Sequence, residues 1–478
     1  MSAEDTDDEL FEQKSSSQLL DCLYTAFVSV TAVPFISRFL KQLVNGTSEL
    51  LDVNIPSVGQ TLSFGGQKKA INDNENVSVR LSILRPVHFC WRLLLDEKLG
   101  LGEAFVEGAW RAEPGVQQFL ALLIRSKREK KAELIARRNA GTHVEKSLYS
   151  RFLMVTLSGM LTCLRRSAKF YNYIQHRFRD NTIFRSRRNI SEHYDLGNRL
   201  FEIFLDETIT YSCALFEDPN EPLSTPLNMS RLARAQTRKI DSLLDSLHLS
   251  KEDHVLEIGC GWGSAAIRAV QRFGCKWTAL TISTEQLELA QEKITAAGVE
   301  ENVEIKLLDY RLETGKYSAV LSIEMIEAVG QRFLPEYFRV INNRLVPGGR
   351  AAIQAILCPD AYYSSYCNSS DFIRKHIFPG GHLPSLGAIE EALPRDEEGR
   401  EMLEMKVERE MARHYAHTLD HWHSKWQSHE TEIRALGYSA AFHRKWQFYF
   451  ELCAALFAHD HISVAQISFR RSPQVISH

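Results

Sequence analysis

A chain of 478 residues exceeds the roughly 100–200 residues of an ordinary domain, so two or three structural units are expected. Hydrophobic residues at 44%, charged residues at 24%, 25 glycines and 14 prolines describe a globular composition and exclude a collagen-like or largely disordered chain. The net charge of −3 excludes a polycation built for nucleic acid, so no nucleic-acid partner is expected and any charged partner must be met locally. The nine cysteines are odd in number and scattered, with no C-x-x-C pair. They support neither a disulfide framework nor a zinc knuckle, and reduced thiols in a cytosolic setting are the expectation.

In chain order, residues 1–18 carry six acids and one lysine, the opposite of a basic leader, and are expected to form a disordered acidic tail. The apolar run Cys22 to Ile36 is 15 residues long, short of the roughly 18–20 needed to cross a bilayer, and predicts a buried or interfacial helix. Between about 70 and 120 the text alternates apolar and polar positions and contains several glycines, which predicts a small α/β unit over 19–120. Over 121–188 the balance changes to 17 Arg and Lys against four acids, a local charge of +13. This basic helical connector contains a 13-residue apolar run, Phe152 to Leu164, bounded by Arg151 and by Arg165 and Arg166. Such a run is too short to span but suited to a membrane interface, which points to peripheral membrane association from the cytoplasm, with a solvated basic linker around one core helix as the alternative.

From about 253 the runs HVLEI, KWTALTI, VEIKLL, YSAVLSI and RAAIQAI alternate with helical stretches, which predicts a parallel sheet with crossover helices, and HISVAQISF supplies a last strand. The first run leads into Leu256-Glu257-Ile258-Gly259-Cys260-Gly261-Trp262-Gly263, where three glycines let the backbone turn sharply and a ligand approach closely. An acid two residues before the first glycine and the tight G-x-G-x-G spacing differ from the dinucleotide pattern and point to S-adenosylmethionine (AdoMet). The second strand ends at Thr281 and Ser283, where an acid often holds ribose hydroxyls. Asp309 and Tyr310 sit where an adenine amine could be met and its ring stacked, with a helix cap as the alternative for Asp309.

Six ordered motifs resemble the cyclopropane-fatty-acid synthase family, which includes the mycolic acid cyclopropane synthases: His193-Tyr194-Asp195-Leu196-Gly197-Asn198, Tyr211-Ser212-Cys213-Ala214, LEIGCGWG at 256–263, Thr281-Ile282-Ser283-Thr284-Glu285-Gln286, Asp309-Tyr310-Arg311, and FPGGHLPS at 378–385. The likeness runs from about 190 to 470, with a thinner match at 99–110. It implies a seven-stranded, Rossmann-like class I AdoMet methyltransferase domain over 189–478, preceded by the smaller α/β domain and the connector. Its members add a methylene across a cis double bond of a lipid acyl chain. By resemblance, Tyr211, Ser212, Gly259, Gly261, Gly263, Thr281, Gln286, Tyr310 and Arg311 would contact the cofactor, together with Glu257 and Asp309 from the reading above. Bacterial members hold a bicarbonate ion through a cysteine, a glutamate, a histidine, a tyrosine and a backbone group. Cys213 and Glu327 match, Ile356 matches the backbone contributor, Gln354 stands for the histidine, His423 for the tyrosine, and Ala328 replaces a further histidine. These departures resemble the plant-type eukaryotic branch.

An alkene is a poor nucleophile, so its π bond must be held in line with a sulfonium methyl in a dry, apolar pocket. A base must then remove a proton from the new methyl group to close the ring. Glu327 is expected to hold or be that base, with Gln354 and His423 as its partners. Cys453 matches a cysteine traditionally marked as active in the family, although ring formation needs no thiol intermediate. His417 and His421 have i,i+4 spacing, but no carboxylate or cysteine completes a ligand set, so no metal is expected. The expected reaction gives a cyclopropane on an unsaturated phospholipid acyl chain, with a homodimer as the oligomeric expectation. Methyl- or methylene-branched acyl chains or sphingolipids are the first alternative product, and methylation of a soluble molecule at N or O is the second.

Overall fold

The computed structural model describes residues 3–66, 78–139, 166–167, 172, 181–182, 196–218 and 229–473. The chain divides into two compact units, Met1–Ala168 and Lys169–His478, so the division falls inside the expected connector. The apolar run at 152–164 lies outside the described residues.

The first unit opens with a helix, Ala3–Val44. It takes in most of the segment expected to be a disordered tail. The helix extends beyond the 15-residue run: its Asp21–Val44 portion is 24 residues and contains an 18-residue window of mean hydropathy 1.5, long and apolar enough to cross a bilayer by length and composition alone. One face is committed to the unit: Val28, Ala32, Ile36, Leu40 and Val44, spaced by four, are buried, while Leu23, Phe27 and Val30 are exposed. Strands β1 (Leu50–Ile55), β2 (Gln60–Gly65), β3 (Val79–Ile83) and β4 (Trp110–Glu113) form a sheet in the order β2-β1-β3-β4. The helices Pro86–Leu95, Glu97–Val106 and Val116–Asn139 complete the unit, the last running past residue 120 into the segment expected to be the connector.

The second unit is built on a seven-stranded sheet. Its strands are β5 (His254–Ile258), β6 (Lys276–Thr281), β7 (Val303–Leu307), β8 (Tyr317–Ile323), β9 (Leu345–Leu357), β10 (Leu403–Glu410) and β11 (Ser463–Arg471), in the order β10-β11-β9-β8-β5-β6-β7. All neighbours from β9 to β7 are parallel, and β11 inserts antiparallel between β9 and β10. The central strands read as continuous apolar runs because helices cover both faces of the sheet. Helix Ser264–Phe273 buries Ala265, Ala266, Ala269 and Val270 on one side and stops at Gly274, which takes the left-handed conformation (φ 65°). β10 was not anticipated: it is an edge strand whose outer residues are charged and exposed, so it lacks an apolar alternation.

Helix Asn198–Phe204 lies among the long helices Ala412–Ser428 and Ala440–Ala458. There Phe204 meets the rings of Tyr211, Trp422, Trp426, Trp446 and Phe450 at centroid distances of 5.4–6.1 Å. These edge-on and tilted contacts make an aromatic wall at the carboxyl end of the sheet.

Candidate active site

The parallel strands β5, β6 and β8 end at one cleft of about 1130 Å³ counting its open mouth. This is the position at which open α/β sheets bind ligands. The glycine loop forms its floor. Gly259, Gly261 and Gly263 all have positive φ, at 81°, 53° and 82°. A Cβ on Gly259 would lie 2.6 Å from Met325 Cγ, whereas one on Gly261 would meet nothing within 4 Å. Gly259 is thus required by packing, and Gly261 keeps the floor open toward the cleft. Trp262 Nε1 donates to Asn198 Oδ1 at 2.8 Å, fixing the loop to the aromatic helix.

Of the eleven residues expected to meet the cofactor, ten line this cleft: Tyr211, Ser212, Glu257, Gly259, Gly261, Thr281, Gln286, Asp309, Tyr310 and Arg311. Gly263 does not, and serves as the N-terminal residue of helix Ser264–Phe273. The Thr-x-Ser-x-x-Gln motif is interlocked by a bond between Thr281 Oγ1 and Gln286 Oε1 (2.9 Å) and by Gln286 N donating to Ser283 Oγ (3.3 Å). Asp309 caps its turn through Arg311 N and takes two further bonds from the Arg311 guanidinium, at 2.8 and 2.6 Å. It is therefore both the cap and a cleft residue. Glu257 is 2% exposed and accepts from Trp277 Nε1 at 2.8 Å, and burial pushes its carboxyl up to about 8 despite that bond and the nearby Lys239. A carboxyl beside an open glycine floor, the interlocked Thr281 and Gln286, and Tyr310 at the rim fit a cationic nucleoside ligand such as AdoMet.

Lys239 was missed by sequence reasoning. It projects from helix Met229–Leu247 into the cleft, is fully buried, and donates to Ser212 Oγ at 2.6 Å. Burial lowers its ammonium to about 8, against the pull of Glu324, Cys213, Asp206 and Glu257. A lone lysine in an amphipathic helix gives no sign in sequence that it faces inward.

Two half-buried carboxylates lie at the end of β8, and their partners differ from expectation. Glu324 lines the cleft and is held in the left-handed region at φ 49°, a strained conformation for a side chain of this size. Its Oε1 accepts from Cys213 N and from Gln354 Nε2, both at 2.8 Å, and its Oε2 accepts from Tyr415 OH at 2.7 Å. Glu327 is not among the residues lining the cleft. Its Oε1 accepts from Ile356 N, and its Oε2 is buried with no partner. Burial raises both carboxyls, and Glu327, with Glu324's charge as the second cause, is pushed up to about 8. With three donors against one, Glu324 is the member that ionises first.

The expected partners of Glu327 are engaged elsewhere. Gln354 bonds Glu324, Cys213 O and Gln466, because the end of β8 pairs Ile323 with Gln354 and brings Glu324, not Glu327, opposite it. His423 faces Glu451 at 3.4 Å and Gln427 at 3.1 Å. Tyr415, not the His423 position, supplies the phenol, and its signal was the helix face Tyr415, Thr418 and Trp422, which turns inward. The bicarbonate set does not fit this site: Cys213 N and Gln354 are taken by Glu324, Ile356 N by Glu327, and Cys213 Sγ points to Ala214 O and Met411 O. Cys453 lies within helix Ala440–Ala458 and does not line the cleft. Burial pushes the thiols of Cys213, Cys260 and Cys453 up. His414, His417 and His421 pack about the ring of Phe216.

This sheet order with its glycine-floored cleft defines a class I AdoMet-dependent methyltransferase, and comparison with known proteins gives the family. Residues 182–467 match the model of the mycolic acid cyclopropane synthetase family, and the chain belongs to it. It is 40% identical over 332 residues to tuberculostearic acid methyltransferase UfaA1 of Mycobacterium tuberculosis, covering 68% of this chain and 76% of that one. It is 28% identical over 402 residues to the cyclopropane-fatty-acyl-phospholipid synthase of Escherichia coli K12, covering 84% and 90%. Among solved structures, mycolic acid cyclopropane synthase CmaA1 complexed with SAH and CTAB is 27% identical with a TM-score of 0.52, covering 60% of this chain and 98% of that one. The chain is an AdoMet-dependent enzyme of lipid acyl chains.

Proposed function

We propose that the protein transfers a methylene from AdoMet to a cis double bond of an unsaturated phospholipid acyl chain, forming a cyclopropane. The observation that carries this reading is the juxtaposition, in one cleft, of the glycine floor, the half-buried carboxylate of Glu324 and the tyrosine of the aromatic wall. AdoMet, when bound, supplies an electrophilic sulfonium methyl. Gly261, Glu257, Thr281 and Gln286 hold the donor, and Tyr211 forms the border between donor and wall. The wall excludes water, which would otherwise capture the carbocation left beside the new methyl group. A carboxylate at the end of β8 takes the proton that leaves as the ring closes.

Membrane contact follows the same substrate logic. The exposed Leu23, Phe27 and Val30 of the first helix and the +13 charge of residues 121–188 support a peripheral attachment to an anionic leaflet on the cytoplasmic side. A homodimer remains the assembly we propose. A second product is favoured by one observation: the 40% identical relative is named a methyltransferase. The same cation losing a chain proton gives a methyl-branched olefin, and after a 1,2-hydride shift the loss of a methyl proton gives a methylene-branched chain, both of the same mass as the ring product.

The test is incubation of the purified full-length protein with labelled AdoMet and vesicles of oleoyl phospholipid, followed by mass and proton NMR analysis of the released chains. Strongly upfield ring protons support the cyclopropane. Olefinic protons at the same mass gain assign the branched product. Label on a soluble amine or phenol, with none in lipid, overturns both.

A further inference from the structure

We propose that Glu324 stands in place of a bound anion in this enzyme and is itself the base that receives the proton lost from the transferred methyl group. The inference rests on the acyl-methylene reading for its reaction, and on geometry alone for its site.

Of the two carboxylates at the end of β8, Glu324 is the one that lines the cleft, and three elements converge on it: Cys213 N from the segment after helix Asn198–Phe204, Gln354 from β9, and Tyr415 from helix Ala412–Ser428. Two donors hold Oε1 and one holds Oε2, so the carboxylate is oriented without help from a mobile ion. Carboxylate and bicarbonate present the same pair of oxygens to hydrogen-bond donors, and a site that has satisfied one has no donors left for the other. The strained φ of 49° at Glu324 holds the side chain in place at the end of β8, where an ordinary extended exit would point it elsewhere. The buried Lys239 in the same cleft balances its charge when the donor is absent.

In the reaction, the alkene π electrons form a bond to the methyl carbon as its bond to sulfur breaks, leaving a cation on the neighbouring carbon. A C–H bond of the new methyl then breaks. Its electron pair closes the ring onto the cationic carbon, and the proton passes to Glu324, giving a neutral carboxylic acid. Proton release to solvent after product departure restores the carboxylate. No oxidant, reductant or further ion enters the balance.

The experiment compares wild type, Glu324→Gly and Glu324→Gln in buffer freed of carbon dioxide, with two readouts. Turnover is measured on oleoyl phospholipid vesicles with labelled AdoMet. Bicarbonate binding is measured separately by line broadening of ¹³C-bicarbonate, with no donor or lipid present. Glycine suits the positive φ and removes the carboxylate, while glutamine keeps its volume should the glycine variant fail to fold. The expected results are these: wild type keeps its turnover without bicarbonate and does not broaden the bicarbonate line. Both variants lose at least about 100-fold in turnover, the order of a general base. Glu324→Gly alone broadens the bicarbonate line and regains at least tenfold in turnover with bicarbonate or formate. The proposal is overturned by a wild type that binds bicarbonate or slows when it is removed, or by variants with wild-type turnover. If no lipid is labelled by the wild type, the reaction assignment fails, and the bicarbonate line still decides whether Glu324 fills the anion site.

Discussion

Replacing Gly261 by alanine separates the two things a glycine can do in a binding loop. At φ 53° an alanine costs about 1–2 kcal/mol of left-handed strain. Nothing lies within 4 Å of the added Cβ, so no packing penalty adds to it. At about 2–4 °C per kcal/mol for a unit of this size, the melting temperature should fall by only a few degrees. The methyl group does enter the floor of the cleft, where the donor must approach. An overpacking penalty of about 1–3 kcal/mol corresponds to a loss of affinity of roughly fivefold to somewhat over a hundredfold. Gly259→Ala should show the opposite balance, because its Cβ would sit 2.6 Å from Met325 Cγ at φ 81°. Isothermal titration with S-adenosylhomocysteine and thermal denaturation of both variants make the comparison. A Gly261→Ala protein that binds as tightly as wild type would refute the assignment of this loop as the donor cradle.

Glu257 is protonated at neutral pH in the free protein, its carboxyl having been pushed up to about 8 by burial, so binding of a cationic donor should release a proton. AdoMet affinity should rise from pH 6.5 to 9, and Glu257→Gln should flatten the profile; an unchanged slope in calorimetry removes the role. Glu327 concerns stability. Its folded value of about 8 lies above the unfolded carboxyl value of roughly 4.3, so the folded state retains a proton between those limits and stability is lost as pH rises through that window. Glu327→Gln should therefore raise the melting temperature at pH 8.5 more than at pH 5, and an equal change at both would contradict the assignment. Phe204→Ala removes a fully buried ring from the aromatic wall and should cost about 3–5 kcal/mol in denaturant unfolding; a loss under 1 kcal/mol would mean the wall does not pack as described. Neutralising Arg165, Arg166 and Lys169 should weaken vesicle binding most at low salt, whereas equal binding to neutral and anionic vesicles counts against an electrostatic attachment.

The glycine floor and the cleft position of Asp309 were legible because each signal is local, a strand, a turn and a helix start within about ten residues, whereas the Thr-x-Ser-x-x-Gln lock and the cleft position of Tyr211 were reached only through the resemblance. The carboxylate site was legible only in part. Cys213, Glu324, Gln354 and Tyr415 are separated by 30 to 202 residues along the chain, and only strand register and helix packing decide which of two glutamates three residues apart faces the donors. Resemblance drew attention to Glu327, since that position matches a known pattern, while the pairing of Ile323 with Gln354 places Glu324 at the donors instead. β10 escaped notice because an exposed charged edge carries no apolar period.

The raised thiols have a further bearing on how such an enzyme endures beside unsaturated lipids, whose peroxidation yields electrophilic aldehydes. A thiol kept protonated and enclosed is a feeble nucleophile toward such aldehydes. Cys213, Cys260 and Cys453 are therefore shielded from adduct formation while the fold persists. Among the described cysteines Cys22 stands exposed, on the helix whose apolar side remains uncovered, and it offers a natural attachment point for a reporter dye.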